Sequence, residues 1–72
     1  MPGVFKRSLT ISGHRTSLSL EPEFWAALKA AAVAERTSLA ALVGEIDRSR
    51  GGRNLSSALR VWVLNRVSRK DG

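Results

Sequence analysis

Arg15, Ser17 and Ser19 stand at every second position of the stretch HRTSLSLEPEF, residues 14–24. In an extended strand, period two puts alternate side chains on one face. A guanidinium and two hydroxyls would then form one row, with Thr16, Leu18 and Leu20 on the other face. His14, the single histidine, precedes the row. His14, Arg15 and Ser17 could together hold a carboxylate or phosphate through charge-assisted hydrogen bonds. The plainer role for His14 is a turn residue bonded to nearby backbone. Catalysis finds little support: Asp47, His14 and several serines are present, but no nucleophile elbow surrounds any of them. With no cysteine and one histidine, a structural zinc site is excluded. No cofactor signature is present, and we read the chain as a non-enzyme.

The charges are unevenly placed. Twelve Lys and Arg face six Asp and Glu, for a net charge of +6. Residues 1–20 carry Lys6, Arg7 and Arg15 and no acid. Residues 21–47 hold Glu21, Glu23, Glu35, Glu45 and Asp47 against Lys29 and Arg36. Residues 48–72 are basic again, with Arg48, Arg50, Arg53, Arg60, Arg66, Arg69 and Lys70 against Asp71. A basic arm and a basic tail flanking an acidic middle suit a polyanion, usually nucleic acid. Solubility alone is the bland reading. Arg48, Arg50 and Arg53 could grip phosphate, or could simply complement a helix end. The N-terminus lacks the apolar run of a secretory signal. No run of about 18 apolar residues exists to span a membrane. The expected compartment is the cytoplasm.

These residues need elements to hold them. Residues 4–11, VFKRSLTI, are β-prone, with Leu9 and Ile11 on one face and Ser8 and Thr10 on the other. SGH at 12–14 breaks the pattern, and residues 15–20 alternate again. Pro22 suits the first turn of a helix running to about Ala34, with Phe24, Leu28 and Ala31 on one face and Trp25 and Ala32 beside them. Ser38, or Thr37, caps a second helix over about 39–48, whose stripe is Leu39, Leu42, Val43 and Ile46. Asn54 opens a third helix that is apolar on nearly all sides and wants partners on more than one. Trp25 and Trp62 lie in apolar stripes and read as packing residues rather than base-stacking platforms. At 72 residues the chain is one domain. Such a domain buries only about 60% of its unfolded surface, so a homo-oligomer is expected.

The order strand, helix, short turn, helix over residues 15–46 resembles the ribbon-helix-helix superfamily of Arc- and MetJ-like DNA-binding proteins. The residues that carry the resemblance are the alternating strand 15–20, Pro22-Glu23, Ser38 and LAALVGEI. With KRSLTISGHRTSLSLE before and RNLSSALRVWVL after, it extends over roughly 6–64 and looks like a branch of small bacterial proteins of this type. The resemblance implies a mainly α fold with a short β ribbon, an intertwined homodimer and an added third helix. It divides the chain into residues 1–14 as arm or extra strand, 15–49 as the ribbon-helix-helix core and 53–68 as the third helix. It also implies that two chains pair their strands and read the DNA major groove. Arg15, Ser17 and Ser19 would meet base edges, and Lys6 and Arg7 would contact the backbone as an arm. Ser38, with the N–H groups of Leu39 and Ala40, would hold a phosphate.

Two features depart from the family pattern. Arg36 stands where many relatives have glycine, a position that can require positive φ. Residues 5–11 form a second β-prone stretch. Folded back on 15–20, they would give a dimer a four-stranded sheet about 14 Å across, too broad for a groove about 12 Å wide. As one long strand or a free arm, they would leave the ribbon slim. The alternative function, a metabolite-sensing or protein-interaction module, follows from the first of these.

Overall fold

A computed structural model describes residues 3–71, with Met1, Pro2 and Gly72 outside it. Strands β1 (Phe5–Ile11) and β2 (His14–Leu20) precede three helices, α1 (Pro22–Ala34), α2 (Leu39–Arg48) and α3 (Leu55–Asp71). None of the described helices is long and apolar enough to cross a membrane.

The two β-prone stretches pair with each other. β1 and β2 run antiparallel in a two-stranded sheet, from Phe5 opposite Leu20 to Ile11 opposite His14. Residues 5–11 therefore fold back on β2 within one chain, the hairpin of the two arrangements that the sequence left open. Ser12 and Gly13 form a two-residue loop with φ of 52° and 83°, and positive φ at both central positions matches the twist of a hairpin. Closing so short a loop costs far less chain entropy than recruiting a strand from another molecule.

Local rules set the helix ends. Pro22 occupies the first turn of α1. At its other end, Arg36 N–H donates to the Val33 carbonyl and Thr37 N–H to the Ala32 carbonyl, at 3.1 and 2.9 Å. This is the Schellman pattern, which places a left-handed residue just past the helix. Arg36 is that residue, with φ 57°. A side chain there costs about 1–2 kcal/mol, partly offset by the larger unfolded-state entropy of glycine. Arg36→Gly should therefore stabilise the protein by about 0.5–1 kcal/mol, read as a higher urea midpoint with an unchanged slope. Ser38 Oγ accepts the Ala41 N–H at 3.0 Å to cap α2. Asn54 Oδ1 accepts the Ser57 N–H at 2.8 Å to cap α3.

The core joins the hairpin's inner face to all three helices. Ile11, Leu18 and Leu20 meet Trp25, Leu28, Ala31 and Ala32 of α1, Leu42, Val43 and Ile46 of α2, and Ala58, Leu59 and Val63 of α3. On α1 the buried aromatic is Trp25, while Phe24, placed first on the expected stripe, is only partly buried. α3 still shows Leu64 and Val67 at its surface, 63% and 51% exposed.

At Gly44 the hairpin approaches α2 closely. This glycine is buried, and an added Cβ would lie 3.3 Å from Ile11 Cγ2. The hairpin's turn end rests on α2 there because no side chain intervenes. Gly44→Val should lift it off, at a cost of about 1–3 kcal/mol from overpacking. Urea unfolding measures the cost, and weakened protection of the β1 amides in hydrogen exchange would locate it.

Candidate nucleic-acid interface

The pairing register builds a polar surface that neither strand makes alone. On the outer face Lys6 lies opposite Ser19, Ser8 opposite Ser17, and Thr10 opposite Arg15. The Ser8 and Ser17 hydroxyls are 3.4 Å apart across the strands. All six residues are exposed except Ser19, which is half-buried. The face therefore presents two cations and four hydroxyls, with no acid and no apolar side chain. Its position is fixed from below, where Leu18 and Leu20 are buried against the helices.

The expected site residues divide between faces. Arg15, Ser17, Ser19 and Lys6 share the outer face. Arg7 belongs to the inner one, opposite Leu18, with its guanidinium 5.6 Å from the centre of the Trp25 ring. Both Lys6 and Arg7 sit in β1 rather than in a free arm. His14 alternates away from Arg15 and Ser17, so these three do not converge on one ligand. It pairs with Ile11 beside the turn and is exposed. Ser8 and Thr10 are the outer-face members missed as site residues, although their alternation with Leu9 and Ile11 already gave their facing.

Ser38 lies at the start of α2, its hydroxyl engaged by Ala41 N–H. The N–H groups of Leu39 and Ala40 have no acceptor among the described residues. They sit at the positive end of the helix dipole, where an anion is favoured.

Elsewhere, long-range ion pairs bring the acidic middle of the chain to its basic tail. Arg60 donates to Glu21 and Arg66 to Glu35, both at 3.0 Å. The Glu21 carboxyl is held below the ordinary carboxylate range, first by a hydrogen bond from its own backbone N–H and then by Arg60. Arg50 pairs with Asp47 and donates to the Arg53 carbonyl, so it serves the end of α2. Lys6, Arg15, Arg48 and Arg53 have no acidic partner among the described residues. The two tryptophans are packing residues. Trp25 is buried and donates Nε1–H to the Phe5 carbonyl at 3.0 Å. Trp62 is half-buried against the core, beneath Arg66 at 5.5 Å. No cluster of three or more metal-ligating side chains occurs among the described residues.

Comparison with known families adds one finding: residues 4–67 match the family described as "Ribbon-helix-helix domain". The match includes both strands, so β1 lies inside the matched unit. No curated protein and no solved structure matches the chain.

Proposed function

The chain belongs to the ribbon-helix-helix domain family, and on that premise we propose that it is a sequence-specific DNA-binding transcriptional regulator whose own hairpin enters the major groove. Domains of this family are typically DNA-binding regulators that work as dimers. The observation that carries the proposal is the outer face of Lys6, Ser8, Thr10, Arg15, Ser17 and Ser19. Two strands about 4.8 Å apart make a ribbon that a groove about 12 Å wide admits. Hydroxyls are permissive partners for base edges, and Arg15 can make a bidentate contact with guanine. Lys6 serves the phosphate backbone, as do the free N–H groups beyond Ser38. Arg7 faces the other way and is left out of the contact set. A homodimer reading a short pseudo-palindrome in the cytoplasm is the functional unit.

Selection from a randomised duplex pool, followed by fluorescence anisotropy, tests this reading. Specific binding in the nanomolar range with steep salt dependence is expected. Arg15→Ala should relax preference at one base pair, at a cost of about 1–3 kcal/mol. Lys6→Ala should weaken all duplexes alike and lower the salt slope by about one. Absence of binding at low salt would rule the reading out.

The free edge of β2 favours a second reading. Two copies joined along it would form the four-stranded sheet, about 14 Å across, which the groove does not admit. Such a dimer would suit a metabolite-sensing or protein-interaction module. Hydrogen exchange on the dimer distinguishes the two, because edge pairing would protect the outward β2 amides.

A further inference from the structure

The inner face of a hairpin packed squarely on helices would be buried from end to end. Here burial runs in opposite senses along the two strands. On β2 it increases toward the strand's end, from exposed His14 through half-buried Thr16 to buried Leu18 and Leu20. On β1 it increases toward the turn, from exposed Phe5 and Arg7 through half-buried Leu9 to buried Ile11. The hairpin therefore lies diagonally across the helices, and the first residues of β1 overhang α1. Phe5, on the inner face by register, remains 55% exposed.

Under this overhang is an open cup of about 810 Å³, formed by Val4, Phe5 and Arg7 of the hairpin side with Pro22, Trp25 and Lys29 of α1. That volume is within the range of about 300–1,000 Å³ typical of small-molecule sites. The floor is rigid, because Trp25 is buried and its Nε1–H holds the Phe5 carbonyl at 3.0 Å. The rim is cationic: Lys6, Arg7 and Lys29 contribute, and no carboxylate is among the lining residues. Arg7 stacks on the Trp25 ring and has no acidic partner among the described residues. Glu21 and Glu23 flank Pro22, but neither is among the lining residues, and Glu21 is engaged by Arg60.

We propose that this cup binds a small amphiphilic anion, an aromatic or short-chain apolar body carrying one carboxylate. The body lies against Val4, Phe5, Pro22 and Trp25. The carboxylate meets Arg7 and Lys29, where charge-assisted hydrogen bonds beside apolar surface fix its orientation. An uncharged ligand would leave the cations unmatched, and a small hydrophilic anion would leave the apolar wall wet. The cup opens on the inner side of β1 and shares with the outer face only Lys6 at its rim; the carboxylate is assigned to Arg7 and Lys29, so its occupancy does not rest on the DNA reading.

Naphthalene-2-carboxylate is a suitable probe, with naphthalene-2-methanol as its uncharged counterpart. Titrated into the isotope-labelled full chain, the carboxylate should shift the Phe5 and Arg7 amides and the Trp25 indole N–H to saturation. The alcohol should bind about tenfold more weakly or worse, the size of one charge-assisted hydrogen bond. The R7Q/K29Q variant should lose at least about tenfold in affinity for the carboxylate. If losing the Arg7 stack on Trp25 unfolds that variant, K29Q alone, at an exposed position, should still weaken the carboxylate severalfold and leave the alcohol unchanged. Equal binding of acid and alcohol, shifts confined to α3, undiminished affinity in K29Q, or no saturation up to the solubility of the probe would each overturn the proposal.

Discussion

Trp25→Ala should remove a large share of the protein's stability. Truncating a buried tryptophan costs about 3–5 kcal/mol. A chain of 72 residues has about 4–11 kcal/mol of stability in all, at roughly 0.05–0.15 kcal/mol per residue. Trp25 also does more than fill space. Its side chain belongs to the buried core, its Nε1–H ties down the Phe5 carbonyl, and Arg7 stacks on its face. The mutation would therefore detach the open end of the hairpin as well as hollow the core. Trp25→Phe separates the two effects. It keeps most of the apolar area and removes the N–H, a net loss of about 0.5–1.5 kcal/mol for the hydrogen bond on top of a smaller packing loss. Urea unfolding of both variants checks this. In Trp25→Phe, amide exchange should accelerate at β1's open end before it does at Ile11. An alanine variant as stable as the parent would show that the hairpin is held elsewhere.

Much of this architecture can be read locally, and the boundary between what can and cannot is physical. The break at Ser12-Gly13, the start at Pro22 and the caps at Ser38 and Asn54 depend on neighbours within four residues. Arg36 is similar, since a tight link between helices demands a left-handed residue whatever type stands there. Period two likewise settles which face Arg15, Ser17 and Ser19 share. It says nothing about which strand lies alongside. The partner of β2 was decided by a turn short enough to close within one chain, and a pattern of alternation is the same for either partner. Phe24 and Trp25 posed a related ambiguity. Two adjacent aromatics on a helix point about 100° apart, and only the tilt of the hairpin determines which is covered. The same tilt exposes Phe5 and Arg7. The Glu21–Arg60 and Glu35–Arg66 pairs span 39 and 31 residues. In the sequence they appear only as an acidic middle and a basic tail, blocks that suggested a polyanion partner more strongly than the folded chain warrants. Part of that positive charge is matched internally. The outer face of the hairpin gains in importance, because its cations have no acidic partner among the described residues.

On that basis the double reversal Lys6→Glu/Arg15→Glu should reduce DNA affinity by about 10²-fold or more, at about 1–3 kcal/mol for each lost contact before repulsion from phosphate is counted. Lys6 and Arg15 stand near opposite ends of the same outer face, opposite Ser19 and Thr10. A ribbon seated along the groove would use both, so the reversal should remove one base contact and one counterion-releasing contact and flatten the salt slope by about one. Its effect on folding should be small, since both side chains are exposed and neither has an acidic partner among the described residues. Such surface substitutions usually change stability by less than about 0.5 kcal/mol. Arg48→Glu/Arg53→Glu is the matched control, with the same change in net charge placed at the end of α2. Long-range attraction to DNA depends mainly on net charge, so any part of the loss that the two variants share belongs to the overall field. The excess in Lys6→Glu/Arg15→Glu belongs to the ribbon. Equal losses, with equal salt slopes, would move the interface off the hairpin and leave its row of hydroxyls without a nucleic-acid role.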